Sequence, residues 1–424
     1  MPDFRSRISR RRFLAAATGA GAVCSLPMFL PGRVLGKDGA VSPSERIVLA
    51  GLGIGNRGQH VLGCMLEEPV VQFVAIADAR RIRREAIKNL ADAKYGNKDC
   101  ATYRDFREML ARPDIDAVLI ATGDRWHTLA SIYAAKAGKD VYCEKPCSMT
   151  IAESRALADT FRRYGRIYQA GTQRRSIANF IFAADLVHTG KLGKLKAVHA
   201  NTLPPAVRHD WLPAEPEPPK DEVDWDMWLG PCPWRPYNRQ YVAGGWRGFF
   251  DFHGGGILEW GAHTVDLCQW AAQADHTTPV LYEPTPNGCV ATYANGVKLI
   301  MRDTGWLGLG TCSARYEGEE GWVETGDSGR VELSAGARTE QRAFSEVGTS
   351  PVSHVKNFLQ CVKTREPANA NADVAARSHI VCHAAYIAWQ LGRALKFDPV
   401  KEEFIGDDEA NRMRSRALRE PWRI

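Results

Sequence analysis

One histidine and two carboxylates stand at helical spacing in a segment that suits acid–base chemistry. Glu259, His263 and Asp266 occupy positions i, i+4 and i+7, which places them on one face of a predicted helix. Three glycines at 254–256 would let the chain enter that helix sharply. A carboxylate one turn from a histidine can fix its tautomer and raise its basicity. We predict that His263 is a general base assisted by Glu259, with Asp266 facing the substrate; a packed histidine without a catalytic role is the alternative.

A second reactive side chain, Lys145, follows a short buried strand predicted at 140–143. Ligands bind at the carboxyl ends of strands in open α/β sheets. The following Pro146 would hold the lysine at that point. We predict that Lys145 faces a nicotinamide and polarises the oxygen of a substrate hydroxyl. The alternative is a surface lysine at a strand end.

A glycine-rich turn follows a strand predicted at 46–50 and leads into a helix. Such a turn lets the backbone approach a pyrophosphate, whose charge is met by free N–H groups at the helix start. Two registers remain open, one using Gly53, Gly55 and Gly58 and the other beginning at Gly51. We predict that Gly51, Gly53 and Gly55 hold a dinucleotide.

An acidic residue, Asp78, ends the second buried strand, predicted over 70–77. In a dinucleotide-binding fold, an acidic side chain at this place hydrogen bonds the ribose hydroxyls of adenosine. Asp78 would repel a 2′-phosphate, which favours NAD, whereas Arg80 and Arg81 just behind it keep NADP possible. An α/β domain that binds no dinucleotide is the alternative.

Alternating strands and helices must position these residues in the first part of the chain. A strand predicted at 115–121 leads to Thr122 and His127, and a last strand of this pattern is predicted at 166–171. Arg174, just past that strand, is a candidate to hydrogen bond sugar hydroxyls, or else it belongs to a solvated helix start. Short apolar strands that alternate with helices predict an open α/β sheet.

The pattern changes after this point. A strand at 195–201 begins a second sheet, and the long irregular stretch 203–246 is typical of a binding loop or a subunit contact. Within it, Trp246 is a candidate to contact a sugar ring, although core packing is the commoner role of a tryptophan. Further strands are predicted at 289–293, 297–302 and 321–324, and helices at 352–363 and 375–395.

Composition excludes several classes of protein. With 424 residues, 45% hydrophobic and 25% charged, the chain is an ordinary globular protein of about two domains. Its net charge of +6 comes mostly from residues 1–36, which hold six arginines and one acidic residue, Asp3. The rest of the chain is nearly neutral, so the charge does not predict a nucleic-acid surface. No apolar stretch predicts a membrane span. The 11 cysteines include no C-x-x-C pair, and segment 253–266 lacks the spacing of a metal motif, so we predict no metal.

Residues 1–36 have the pattern of an export signal. Arginines at 10–12 precede Phe13 and Leu14, and a weakly hydrophobic stretch rich in alanine and glycine follows. We predict export to the periplasm by the twin-arginine pathway, which carries folded proteins and lets a cofactor be captured first. An amphipathic anchor helix or a flexible arm is the alternative.

The glycine turn, Asp78, the loop with Thr122 and His127, and the strand end Glu144-Lys145-Pro146 resemble the Gfo/Idh/MocA oxidoreductases. The resemblance covers the chain after the leader and implies an α/β fold with an N-terminal Rossmann dinucleotide-binding domain. It also implies a C-terminal α+β domain with a large, mostly antiparallel open sheet. The implied bounds are 44–170 for the NAD(P)-binding domain, 171–404 for the substrate-binding domain, whose terminal helices can pack back on the first, and 405–424 for a tail.

The same resemblance implies roles for individual residues. Thr122, His127 and Glu144 would join Lys145 in holding the cofactor. The family's catalytic segment is typically Asp-x-x-x-His, and Glu259 replaces that aspartate here with a side chain one methylene longer. Members of the family form homo-oligomers, so we expect a dimer or tetramer.

Together these features predict hydride transfer between a secondary alcohol of a sugar, polyol or related carbohydrate and NAD, or NADP. Two other functions remain open. A tightly retained NAD could be recycled within each turnover, in glycoside cleavage, epimerisation or internal oxidoreduction. Alternatively, the chain could be a non-catalytic sugar-binding protein on the same scaffold.

Overall fold

The computed structural model describes residues 41–204, 207–335 and 338–424. The chain divides after Arg46, and Ile47–Ile424 forms one compact unit. In the first unit the described part is a short helical turn, Pro43–Glu45; the predicted signal at 1–36 lies outside the described residues. Both sheets formed by the described residues lie in the second unit.

The first sheet has six strands, and all of them run parallel. Its spatial order is β3-β2-β1-β4-β5-β6, which is the order of a dinucleotide-binding sheet and confirms the predicted Rossmann fold. The strand order reverses between β1 and β4, and a crevice forms there at the carboxyl ends. The bounds are β1 (Ile47–Leu52), β2 (Val71–Ala77), β3 (Ala101–Tyr103), β4 (Ala117–Ile120), β5 (Asp140–Cys143) and β6 (Tyr168–Ala170).

Helices connect these strands and cover the sheet. Several ends follow directly from the sequence: Thr150 caps one helix by accepting the backbone N–H of Glu153, and Gly165, with φ +59°, ends it. The bounds are α1 (Asn56–Leu66), α2 (Arg81–Tyr95), α3 (Phe106–Leu110), α4 (Asp124–Lys136) and α5 (Ile151–Tyr164).

The second sheet has ten strands, in the order β14-β13-β12-β11-β7-β10-β9-β8-β15-β16. The pairing is antiparallel except between β7 and β10, which confirms the predicted mostly antiparallel sheet. The bounds are β7 (Leu195–Asn201), β8 (Leu281–Thr285), β9 (Gly288–Thr292), β10 (Lys298–Arg302), β11 (Ala314–Gly318), β12 (Gly321–Thr325), β13 (Arg330–Ala335), β14 (Arg338–Ala343), β15 (Leu395–Asp398) and β16 (Glu403–Phe404).

Three helices bury their apolar sides against the second sheet in one core, and another returns to the first sheet. Phe180, Val265 and Ile380 represent the three helices in the core with Val198 and Leu299 of the sheet. The helix at 352–364 instead packs its Val355 and Phe358 into the core around β1 and α1. The bounds are α6 (Ala178–His188), α7 (Trp225–Leu229), α8 (Gly256–Ala271), α9 (Val352–Thr364), α10 (Ala372–Leu391) and α11 (Asp408–Arg412).

The helix predicted at 375–395 is shorter at its end than expected. Gly392 adopts φ +63° and ends α10, and Leu395 already belongs to β15. A residue in the left-handed conformation cannot continue a right-handed helix, so the helix ends there. The apolar pattern continues from the helix into the strand, and the sequence therefore did not indicate where the helix ends.

The irregular stretch between β7 and α8 forms a small body with its own core, which we call the cap segment (residues 207–253). Its aromatic side chains pack together around Tyr241, which is fully buried. The C-terminal tail reinforces this region: Trp422 packs against Phe106 and Trp126 of the first domain, while Arg419 donates to the carbonyl of Gly230.

Among the described residues, no helix is long and apolar enough to cross a membrane. The same residues contain no group of three or more His, Cys, Asp and Glu side chains that could hold a metal ion. All ten described cysteines are unpaired, and nine of them are buried.

Candidate active site

A cavity of about 570 Å³ lies at the carboxyl ends of the first sheet, between that sheet, the cap segment and α8. Cavities of this size are typical of cofactor sites. It brings together most of the predicted site residues. These are Gly53, Gly55, Asp78, Thr122, His127, Glu144, Lys145, Arg174, Trp246, Glu259 and His263.

The structure selects one of the two glycine registers. A Cβ on Gly53, which has φ +65°, would lie 2.2 Å from Cγ2 of Thr122, and a Cβ on Gly58 would lie 2.6 Å from Cβ of Ala121. Gly55 caps α1 and has open space around it, as an approach to a pyrophosphate requires. Gly51 lies outside the cavity lining, so the prediction that it holds the dinucleotide is corrected. The reason is that β1 pairs with its neighbouring strands as far as Leu52, and the glycine turn therefore begins two residues later than predicted.

Asp78 lies at one end of the cavity, next to a group of arginines. Its Oδ1 accepts the backbone N–H of Arg80 at 2.8 Å, and burial raises the pKa of Asp78 to about 6. Arg80 donates from Nη1 to the carbonyl of Val242 in the cap segment at 2.6 Å. Arg83 and Arg104 complete this end of the lining, which we call the nucleotide end together with the glycine turn.

At the opposite end, Lys145 bonds to Glu259. Lys145 Nζ donates to the backbone carbonyl of Glu259 at 2.7 Å and to its Oε1 at 3.3 Å. We call this part of the cavity, with His263 and Arg174, the reacting end. The hydrogen bond from His253 lowers the pKa of Glu259, so the carboxylate is ionised at neutral pH.

Glu259 pairs with His253 and not with His263, which corrects the predicted dyad. His253 Nε2 lies 3.0 Å from Glu259 Oε2, and His253 Nδ1 accepts the backbone N–H of Gly255 at 3.2 Å. Since Nδ1 is an acceptor, Nε2 carries the proton and donates it to the carboxylate. The glycine bend at 254–256 folds His253 back over the first turn of α8, which sequence spacing along the helix does not reveal.

His263 is buried in the cavity wall without a hydrogen-bond partner at Nδ1. Burial, together with the charges of Arg174, Lys145 and Arg57, holds the pKa of His263 well below its usual range. The imidazole is therefore neutral, and it can accept a proton from a hydroxyl that enters the cavity.

Arg174 and Asp266 have different surroundings, although both were predicted to contact substrate. Arg174 lines the cavity and forms a two-pronged ion pair with Asp327, with both N···O distances at 2.7 Å. Asp266 lies outside the lining. Its carboxylate is buried against Arg175 at 2.7 Å and Ser378 at 2.7 Å, so it holds those two side chains in place and is not free to contact a ligand.

The backbone that follows Lys145 is held by side chains from two helices. His127 Nδ1 bonds to the carbonyl of Pro146 at 2.7 Å, and Thr128 donates to the carbonyl of Cys147 at 2.8 Å. His379 Nε2 of α10 accepts the backbone N–H of Cys147 at 3.0 Å. These bonds fix the position from which Lys145 extends into the cavity.

Sequence reasoning missed three residues of this site, Arg125, Asp327 and His379, and it considered His253 only as a possible metal ligand. Arg125 is buried, donates to the carbonyl of Trp228 from Nε at 2.8 Å and from Nη2 at 2.6 Å, and lies 3.7 Å above the Trp228 ring. Burial lowers its pKa to about 10, which leaves it charged at neutral pH. Its position between Thr122 and His127 was the one available signal, because both neighbours were already predicted site residues.

Several buried polar atoms of lining residues have no partner within the chain. Buried donors and acceptors are nearly always satisfied in proteins, so these atoms mark where a ligand would bond. Eight cationic and five acidic side chains line the cavity, an excess that suits a pyrophosphate, and the residues therefore fit a dinucleotide. The atoms are Arg57 Nη2, Arg80 Nε, Arg125 Nη1, Gln173 Oε1, Arg174 Nη1 and His263 Nδ1.

Two family models match the chain. Residues 46–172 match the NAD-binding Rossmann fold of the Gfo/Idh/MocA oxidoreductase family, and residues 207–424 match the C-terminal alpha/beta domain of the same family. The cavity lies between these two matched regions.

Individual relatives are more distant. The rhizopine catabolism protein MocA of Rhizobium meliloti is 33% identical over 38% of this chain and 49% of its own length. The inositol 2-dehydrogenase of Salmonella typhimurium is 21% identical over 66% of this chain and 71% of its own length. The chain thus spans about half the length of the first relatives that it matches.

Solved structures share the fold. The aldose-aldose oxidoreductase of Caulobacter crescentus superposes with a TM-score of 0.61 at 20% identity, over 83% of this chain and 100% of that one. At this identity the likeness concerns the fold.

Proposed function

This chain belongs to the Gfo/Idh/MocA family of oxidoreductases, and on that premise we propose that it oxidises a secondary alcohol of a sugar, polyol or related carbohydrate with NAD. The observation that carries the proposal is the position of Lys145 and His263 in the same cavity as Gly53, Gly55 and Asp78. A nucleotide at the glycine turn would share that cavity with a substrate beside the lysine. Relatives named as inositol 2-dehydrogenase and aldose-aldose oxidoreductase support this substrate class.

A bound NAD would supply the hydride acceptor for the alcohol carbon, while the chain's own residues position the substrate and move the proton. Lys145 donates a hydrogen bond to the substrate oxygen and holds it in place. His263 accepts the hydroxyl proton at its unpartnered Nδ1. Glu259 holds Lys145, and His253 orients Glu259. Asp78 accepts hydrogen bonds from ribose hydroxyls, and its negative charge favours NAD over NADP.

A second candidate function is a redox-neutral reaction with a retained cofactor, and the cap segment favours it. The carbonyls of Met227, Trp228 and Val242 are bonded to Trp126, Arg125 and Arg80 of the first domain. All six of these residues line the cavity, so these bonds hold the cap segment beside the place of a nucleotide and would slow its release. Reactions that oxidise and then reduce the same substrate would fit, such as glycoside cleavage, epimerisation or internal oxidoreduction.

The first experiment is the identification of nucleotide in protein purified from its native export host. The protein is denatured, and the released supernatant is analysed by absorbance and mass. Stoichiometric NAD supports the oxidoreductase and favours the retained-cofactor reaction, whereas empty protein that binds added NAD supports an ordinary dehydrogenase. Protein that neither contains nor binds a nucleotide contradicts both. Full retention of function after Lys145→Met would instead favour a non-catalytic sugar-binding protein.

We also propose export to the periplasm by the twin-arginine pathway. Its support is the sequence pattern of residues 1–36 and the need to load a cofactor before export. Replacing Arg10, Arg11 and Arg12 by lysine should leave the protein in the cytoplasm, measured by cell fractionation. Unchanged export of this variant would contradict the proposal.

We also propose that the chain forms a homo-oligomer, as the family resemblance implies. The three helices of the second domain cover one face of its sheet, and the other face carries Arg302 over Trp306 at 3.9 Å and Arg315 over Trp322 at 4.0 Å. Such aromatic and arginine side chains are enriched at interfaces. Light scattering after gel filtration should give a dimer or tetramer, and a monomer would contradict it.

A further inference from the structure

Each of the three cations that we assign to the reacting end, Arg57, Lys145 and Arg174, has a carboxylate beside it. Arg57 lies 3.2 Å from Glu144, Lys145 lies 3.3 Å from Glu259, and Arg174 lies 2.7 Å from Asp327. Three cations are thus matched by three carboxylates. These three pairs carry no net charge that would attract a charged substrate group.

The two histidines of this region do not change the balance. His253 Nδ1 accepts a backbone N–H, so the ring is neutral. His263 is buried among Arg57, Lys145 and Arg174, whose charges oppose its protonation. Two further cations line the cavity outside the nucleotide end. Arg125 is buried and has the opposite charge of Asp124 acting on it, whereas Arg247 is exposed and stacks on Trp246 at 4.6 Å, where water and salt screen its charge.

The ion pair of Arg174 is the most strongly enclosed of the three. Its two side chains are 5% and 8% exposed, and Asp327 also accepts a hydrogen bond from Thr311 Oγ1 at 2.6 Å. Both carboxylate oxygens and two guanidinium nitrogens are therefore occupied. Arg174 Nη1 remains without a partner, and it can donate to a hydroxyl without meeting a second negative charge.

The unpartnered atoms at this end include both donors and acceptors. Arg57 Nη2 and Arg174 Nη1 donate, whereas Gln173 Oε1 and His263 Nδ1 accept. A carboxylate or phosphate offers acceptors only, but a hydroxyl can both donate and accept. A compound with several hydroxyls can satisfy all four atoms.

We propose that the reacting end is built for an uncharged polyhydroxyl substrate, and that Asp327 excludes anionic ones by neutralising Arg174. This inference rests on the oxidoreductase function proposed above. A carboxylate placed at Arg174 Nη1 would face Asp327 across the same guanidinium, and the like charges would repel in a region of low dielectric. Asp327 is thus a specificity-determining residue for the reaction.

The test compares neutral compounds with matched anionic ones on the NAD-loaded, full-length protein. D-Glucose is paired with D-glucuronate, and myo-inositol with myo-inositol 1-phosphate. Binding is measured by calorimetry and oxidation by kcat/KM, and each neutral probe that binds should exceed its anionic partner by at least about tenfold. Preference for either anionic probe, or failure of both neutral probes to bind, overturns the proposal.

Asp327→Asn then tests the residue itself, because it restores the positive charge of Arg174 with little change of shape. The ratio of anionic to neutral binding should rise about tenfold or more in this variant. Asp275→Asn is the matched control, since Asp275 bonds the neighbouring Arg175 at 2.6 Å outside the cavity lining; its ratio should stay at the wild-type value. An unchanged ratio in Asp327→Asn overturns the role of Asp327.

Circular dichroism and nucleotide content show whether Asp327→Asn folds. If the variant does not fold, the comparison of neutral and anionic probes on the wild-type protein still decides the substrate class. The outcomes also separate this inference from the function on which it rests. Oxidation of an anionic probe in preference to its neutral partner overturns the inference and leaves the oxidoreductase intact. Absence of nucleotide binding contradicts the oxidoreductase itself.

Discussion

The two ends of the cavity are built in different ways. At the nucleotide end, the glycine turn and Asp78 lie within one β-α-β unit, and Arg80 follows directly. Its candidate ligand-binding groups are the backbone N–H groups at the start of α1 and Arg80, whose Nε has no partner within the chain. The reacting end joins Lys145, Arg174, Glu259 and Asp327 from separate elements, and pairs each of its buried charges.

The difference shows how one cavity can serve two purposes. An excess of positive charge and an open helix start suit a ligand with two phosphates. Matched charges hold side chains in fixed positions without attracting a charged group. Substitutions at the nucleotide end should therefore change binding of NAD, whereas those at the reacting end should change the reaction.

The largest effect is expected at the reacting end. Lys145→Met should lower kcat about a thousandfold, because the substrate oxygen loses its hydrogen-bond donor. The dissociation constant of NAD should change little, since the glycine turn and Asp78 are untouched. Lys136→Met, at the exposed end of α4, is the control. Equal losses in NAD binding and kcat would break the division between the two ends.

Gly55→Ala should produce the next largest effect, this time on binding alone. No atom of the chain lies within 4 Å of the added Cβ, so the free protein should fold normally. The methyl group would occupy the approach of a pyrophosphate, and NAD affinity should fall about a hundredfold by calorimetry. Gly63→Ala, whose Cβ is also unobstructed, should not weaken binding. Normal NAD affinity of Gly55→Ala would contradict the chosen glycine register.

Asp78 should give the nucleotide end a pH dependence that the reacting end lacks. Its pKa of about 6 means that it gains a proton as pH falls through 6, and the neutral form no longer accepts two ribose hydrogen bonds. NAD should bind about tenfold more weakly at pH 5 than at pH 7. Asp78→Asn should bind weakly and with a flat profile, and a wild-type profile without this slope would count against the assignment.

The same titration affects stability of the free protein in the opposite direction. The pKa of Asp78 in the folded chain is raised from 3.8 to about 6, so the folded state binds more protons than the unfolded one between these values. The contribution of Asp78 to stability therefore decreases as pH rises from about 4 to about 6. Urea unfolding of nucleotide-free wild type and Asp78→Asn should show this difference.

The smallest effect is expected from the C-terminal tail, which supports the nucleotide end from outside. The Trp422 ring lies 4.7 Å from that of Trp126, whose own side chain bonds to the cap segment. Trp422→Ala should speed release of NAD several-fold in stopped-flow measurements, because the cap segment is held less firmly. Trp234→Ala is the control, since Trp234 is 58% exposed. Equal release rates would mean that the tail does not support the cap segment.

The sequence by itself determined the first sheet and most of the nucleotide end. Strand, glycine turn and acidic strand end follow one another along the chain, so local spacing reports their spatial arrangement. The one error there, the assignment of Gly51, came from a strand that continues two residues beyond its predicted end. Lys145 was also found this way, because it follows a strand directly.

Only the tertiary structure decided which side chains meet at the reacting end. Helical spacing suggested that Glu259 assists His263, but the glycine bend brings His253 to that carboxylate instead. Arg174 meets Asp327 from a loop 153 residues away, and no periodicity along the chain encodes such a pair. Hydrogen bonds and ion pairs form between neighbours in space, and sequence spacing predicts those neighbours only within a single helix, strand or turn.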